Sequence, residues 1–140
     1  MKRRAQILFL ALLMLLPLLS FAQSASFTDM GGRNVSLPPQ VRRVVVLQAA
    51  DCEIFYAIGA QDLLVGRGEY CNYPAEVLEI PSVQSGFEIN LEQIIALEPD
   101  AVVMAKMGQR EEDAKKLEEA GIAVVVSDAQ TLEGVYQAVT

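Results

Sequence analysis

Four short apolar runs constrain this chain more than any other feature. Residues 43–47 (Arg-Val-Val-Val-Leu), 63–65 (Leu-Leu-Val), 101–105 (Ala-Val-Val-Met-Ala) and 122–126 (Ile-Ala-Val-Val-Val) lack the polar alternation of a strand with one wet face. Continuous runs rich in β-branched residues are what a strand buried on both faces requires. Helical signals lie between them. Asp51 stands where it can cap a helix carrying Cys52, Ile54, Phe55 and Ile58, which Gly59 ends. Asn90 and Gln93 are spaced like a capping box and open a helix halted by Pro99. Residues 110–120 pair Glu111 with Lys115 and Glu112 with Lys116 on a solvated helix closed by Gly121. Strands alternating with helices in this way predict right-handed βαβ units. The expected class is therefore α/β, a parallel sheet flanked by helices.

The two ends read differently. Lys2, Arg3 and Arg4 precede an apolar run at 7–19, and Ser20-Phe21-Ala22 offers small residues at a cleavage site, so 1–22 is expected to be an export signal. An uncleaved anchor is the alternative, but a bilayer span needs about 20 apolar residues and this run is shorter. No cysteine follows it to carry a lipid. Around Met30-Gly31-Gly32, residues 27–29 and 33–37 read as a hairpin, stopped by Pro38-Pro39. At the other end Leu132, Val135, Tyr136 and Val139 form a helical stripe. Either that helix closes a small domain or the sequence is the front part of a longer protein, and the second is expected. The division is then a signal at 1–22, one α/β lobe at 23–130 and the start of a further helix at 131–140.

Charge and composition exclude several classes. Leaving out 1–22 removes three of 11 basic residues and none of 18 acidic ones, so the net charge falls from −7 to −10. Nucleic acid and anionic lipid both need clustered cations and are not expected as partners. The chain has no histidine, hence no Ser-His-Asp triad and no histidine-based metal cage. Gly66 and Gly68 give only G-x-G, without the third glycine of a dinucleotide loop or the lysine of a P-loop. No catalytic residue and no metal ligand is expected, and an enzyme is not the favoured reading.

The candidate site is the stretch 66–74, Gly-Arg-Gly-Glu-Tyr-Cys-Asn-Tyr-Pro. It follows an apolar strand; the glycines are expected to let the backbone turn, and Pro74 stiffens the exit. In an open parallel sheet, ligands lie outside the carboxyl ends of the strands, where such loops sit. Tyr70 and Tyr73 suit that place because a tyrosine offers both a stacking face and a hydroxyl. Phe87, Lys106 and Met107 follow other strands and would reach the same rim, with Arg67 as a further cation. Such a rim fits a sizeable, partly anionic ligand, although ordinary packing explains Phe87 or Met107 taken singly. Cys52 and Cys71 each follow a buried strand. In an exported protein they are expected to form a disulfide clamping the rim, the alternative being two independent thiols.

These pieces together resemble a known family. Thr28-Asp29, Gly32-Arg33-Asn34-Val35, Leu37-Pro38 and Arg42-Arg43-Val44-Val45 match in order, as do Glu53 through Gly59-Ala60 and Tyr70-Cys71-Asn72-Tyr73-Pro74. Asn90-Leu91-Glu92-Gln93-Ile94, Ala96-Leu97-Glu98-Pro99-Asp100, Ala120-Gly121-Ile122 and Val124-Val125 continue the match. The chain is similar to the amino-terminal lobe of periplasmic substrate-binding proteins serving ATP-driven importers of cobalamin, iron–siderophore complexes and haem. The resemblance implies one Rossmann-like lobe of a two-lobe protein, with the helix near Thr131 beginning the interlobe connector. It implies a periplasmic, monomeric carrier of a metal chelate, with Tyr70 against the ligand and an aromatic, Phe87, from the loop before the Asn-Leu-Glu helix. It also implies that Glu92 docks on arginines of the membrane permease; a first-turn acid favoured by the helix dipole is the plainer account. The histidines of the family's zinc and manganese branch are missing, so a bare metal ion is not the expected ligand.

Overall fold

The computed structural model describes residues 24–86, 88–105, 111–129 and 131–139. The expected export signal at 1–22 lies outside them. A hairpin, β1 (Ser26–Thr28) and β2 (Asn34–Ser36), precedes a parallel sheet of β3 (Val44–Val46), β4 (Leu64–Gly68), β5 (Ser82–Val83), β6 (Ala101–Ala105) and β7 (Ala123–Ser127). The spatial order is β5-β4-β3-β6-β7. The connections carry α1 (Ala49–Ala57), α2 (Leu91–Ala96) and α3 (Glu111–Glu119), and α4 (Leu132–Val139) follows β7.

The triple valine of β3 explains the layering. Val44, Val45 and Val46 pair with Ala101, Val102 and Val103 of β6, so alternate side chains face opposite ways. On one face Val45, Val102, Met104 and Val124 pack against Ile94 of α2 and Leu117 of α3. On the other, Val44, Val46 and Leu64 pack against Cys52 of α1 and Val77, which sits in a 3-10 turn at Ala75–Glu79. Both faces are covered, as the unbroken apolar runs require. The helix stops agree with the sequence: Gly59 and Gly121 adopt φ of 75° and 82°, a region that only glycine enters without strain.

Two local readings are corrected. Gly66 and Gly68 do not turn the chain; both lie within β4. A Cβ on Gly66 would come 2.5 Å from Leu97 Cδ1, and one on Gly68 would come 2.3 Å from the Leu47 carbonyl oxygen. Close packing, not a bend, is why those positions lack a side chain. Asp51 is not the helix cap. Gln48 holds that position without a side-chain cap bond, and Asp51 is buried in the first turn. Beyond Pro74 the chain adds the edge strand β5, two residues long and so too short to show a period in the sequence.

The hairpin closes the other edge of the sheet. Met30 N–H donates to Val126 O at 3.1 Å and Val126 N–H donates to Asp29 Oδ2 at 3.1 Å. Arg33 donates from Nη2 to Asp29 Oδ2 at 3.0 Å and to Val124 O at 2.7 Å. An exposed strand edge invites pairing with another chain, and these bonds occupy it. Burial alone would raise the Asp29 carboxyl, but N–H bonds from Arg33 and Val126 and the Arg33 guanidinium bring it below its ordinary 3.8. A lowered acid contributes stability that is present above the unfolded value and lost as pH falls through the folded one. Asp29→Asn is therefore expected to cost about 1–2 kcal/mol at pH 7. The cost should shrink on acidification below the ordinary value, as read by urea unfolding across that range. An equal loss at every pH would contradict the assignment.

Candidate functional site

The carboxyl ends of the strands share one rim. Its midpoint lies between β3 and β6, where the strand order reverses, and such switch points are where open α/β sheets hold ligands. A cavity of about 620 Å³ opens there, between α1 and α4, lined in part by Gln48, Asp51, Tyr73, Ala105 and Ser127. Tyr73 is 66% exposed, as is Tyr70. Neither points into the core.

The loop carrying them is held by backbone and side-chain bonds on three sides. Arg67 donates from Nε to Ile80 O at 3.2 Å and from Nη1 to Gly68 O at 3.3 Å and Cys71 O at 3.1 Å. Its guanidinium is thus occupied by carbonyls at the base of the loop, and it serves to position the tyrosines where the sequence suggested a ligand-facing cation. Cys71 N–H donates back to Gly68 O, closing the turn.

Two residues not singled out from sequence join this loop to the next. Glu69 N–H donates to Ser85 Oγ at 3.2 Å, while Glu69 Oε1 accepts from Gly86 N–H at 3.1 Å. A Cβ on Gly86 would lie 3.5 Å from the Tyr70 hydroxyl, so the Tyr70 ring stands beside that loop. Phe87, the next residue, lies outside the described residues, as do Lys106 and Met107. Only a serine two residues past the edge strand could have signalled the link, and serines are common in such places.

Asp51 and Ser127 form a second unforeseen pair. Ser127 Oγ donates to Asp51 Oδ1 at 2.8 Å, and Asp51 Oδ2 has no partner among the described residues. Burial pushes this carboxyl up, against the opposing hydrogen bond from Ser127. The pair lies where the rim cavity meets another of about 660 Å³ under the hairpin, bordered by Phe27 and Phe55.

Glu92 is exposed in the first turn of α2, at the rim side of the lobe. Asn90 caps that helix by accepting from Gln93 N–H at 3.0 Å. The Gln93 side chain does not return to Asn90; it accepts from Gln84 N–H at 3.1 Å and ties the helix to the β5 loop. Cys52 and Cys71 are both buried free thiols in this structure, so the expected disulfide is not formed in it.

The family model for periplasmic binding proteins matches residues 44–140. The chain belongs to that family. The vitamin B12-binding protein of Vibrio campbellii is 33% identical over 117 residues, covering 84% of this chain and 41% of that protein. The crystal structure of the periplasmic vitamin B12 binding protein BtuF of Vibrio cholerae superposes with a TM-score of 0.65 at 32% identity, covering 70% of this chain and 38% of that one. A periplasmic heme binding protein from Pseudomonas aeruginosa gives a TM-score of 0.67 at 26% identity, covering 71% of this chain and 36% of that one. The chain spans about two fifths of the length of these relatives. The parallel sheet read from the apolar runs is the fold of this family.

The packing at Gly68 makes a sharp test of how the loop is held. A methyl group there would meet Leu47 O and Ser85 Oγ, at 2.3 and 2.5 Å. Gly68→Ala is expected to destabilise the chain by about 2–3 kcal/mol in urea unfolding, since a backbone oxygen cannot step aside. A loss well under 1 kcal/mol would mean that the strand end is looser than described.

Proposed function

We propose that this chain is the amino-terminal ligand-binding lobe of the solute-binding component of an ATP-driven importer. It captures an iron–siderophore complex, a corrinoid or a haem-type chelate and hands it to the membrane permease. The observation that carries this reading is the pair of tyrosines, each two-thirds exposed on a loop fixed to the strand ends. An exposed aromatic on a mobile tail loses freedom on binding, whereas one on a fixed loop has already lost it. Corrin and porphyrin ligands present broad faces for aromatic contact with polar groups at the edge, matching a tyrosine's two ends. The names of the relatives, which specify vitamin B12 and heme, support this ligand class. Phe87, Lys106 and Met107 complete the ligand surface in this reading, and Arg67 supports it from beneath.

Glu92 is the docking residue. Its exposure on the first turn of α2 leaves it available to cationic side chains of the permease. The carrier works as a monomer outside the cytoplasm and performs no chemistry on its cargo.

Calorimetric titration with cyanocobalamin, haemin and a ferric siderophore tests the assignment in the complete protein. Tyr70→Ala is expected to weaken binding of the cognate chelate by about 1–3 kcal/mol, the range for losing a well-packed aromatic contact. Unchanged affinity would remove Tyr70 from the site. Glu92→Lys is expected to slow uptake into cells while leaving affinity in solution alone. If affinity falls instead, Glu92 belongs to the ligand surface and not to docking.

A further inference from the structure

Cys52 and Cys71 come from different elements, the first turn of α1 and the loop after β4, yet they end in one apolar pocket. Both are 0% exposed, and both pack with Val44, Val46, Leu64 and Val77. Each sulfur lies 3.9 Å from the same atom, the carbonyl oxygen of Val46. The convergence follows from topology: β3 and β4 are parallel neighbours, so the segments leaving them start from the same rim. No group of three metal-ligating side chains that could hold an ion is present among the described residues.

We propose that Cys52 and Cys71 close into a disulfide in the exported protein, bolting the tyrosine loop to the first turn of α1. The family's place outside the cytoplasm supplies the oxidising setting, and the proposal does not depend on which ligand is bound. The oxidant is the disulfide of a thiol–disulfide oxidoreductase, which acts on the chain before the pocket closes. The two sulfurs are unequal. The hydrogen bond to Cys71, then burial, pushes the Cys52 thiol up, while the hydrogen bond from Cys52 first, with help from Gly68 N–H and Arg67, brings Cys71 down. While the pocket is still open either cysteine can react first, and the product is the same when the first is Cys71.

Its thiolate attacks one sulfur of the oxidant, and that S–S bond breaks with its electron pair leaving on the second sulfur. Cys52 gives up its proton to that thiolate and attacks Cys71, displacing the oxidant's first sulfur. That sulfur leaves as a thiolate and takes from water the proton that Cys71 had given up. Two electrons and two protons pass to the oxidant, and one S–S bond replaces another.

Intact-mass measurement tests this without any ligand. The chain purified from an oxidising compartment, denatured without reductant and treated with N-ethylmaleimide, is expected to carry no adduct, and two after reduction. Reduced chain refolded in a glutathione redox buffer should likewise lose about 2 Da and retain no glutathione, the mark of an intramolecular bond. Two adducts on the unreduced protein, or a stable glutathione adduct, would overturn the proposal. Reductant is also expected to lower Tm of the wild type by roughly 5–10 °C. It should leave Cys52→Ala/Cys71→Ala unmoved, and equal responses would overturn it as well.

Discussion

Three backbone carbonyls around the end of β4, those of Ile80, Gly68 and Cys71, converge on the guanidinium of Arg67. A part-buried carbonyl with no partner costs about 1–3 kcal/mol, so a loop leaving a buried strand must either return to solvent or find donors. Arg67 is that set of donors. Its planar fork reaches several acceptors at once, which a lysine cannot do from one point charge. The loop is then held at the rim with Cys71 buried and Tyr70 and Tyr73 exposed. The close approach of Gly68 to Leu47 and the Glu69–Ser85 bonds fix the same segment from two further directions.

This local clamp acquires meaning from the sheet order. With β3 and β6 adjacent, the chain winds outward from the middle in both directions, and the strand ends diverge to leave a crevice. Tyr73 borders that crevice, while Tyr70 stands on the β5 side, against Gly86. The two rings thus flank the strand ends instead of stacking on each other.

Much of this was legible in the residues. Val44–Val46 and Ala101–Ala105 announce strands buried on both faces because no polar side chain interrupts them, and Gly59 and Gly121 mark helix ends through the conformation only they allow. The exposure of Tyr70 and Tyr73 agrees with the sequence reading of the loop. What was not legible depends on long-range packing. Gly66 and Gly68 look like turn residues, yet their meaning lies in Leu97 and Leu47, distant in the chain. Arg67 looks like a free cation until the carbonyls of Ile80 and Cys71 are folded around it. Asp51 has the local signature of a cap, but Ser127, at the end of the last strand, draws it inward. A two-residue edge strand leaves no period to read.

In the proposed function Tyr70 and Tyr73 form a fixed, outward shelf for a broad chelate. The chain has four tyrosines and no tryptophan, which makes ring signals individually resolvable. Titrating ring-labelled protein with cyanocobalamin or haemin, followed by NMR, reads each tyrosine directly and detects even weak binding. The account predicts that the Tyr70 and Tyr73 rings shift with a saturating ligand while Tyr56 stays in place. A shift confined to Tyr56, or uniform across all four rings, would contradict it.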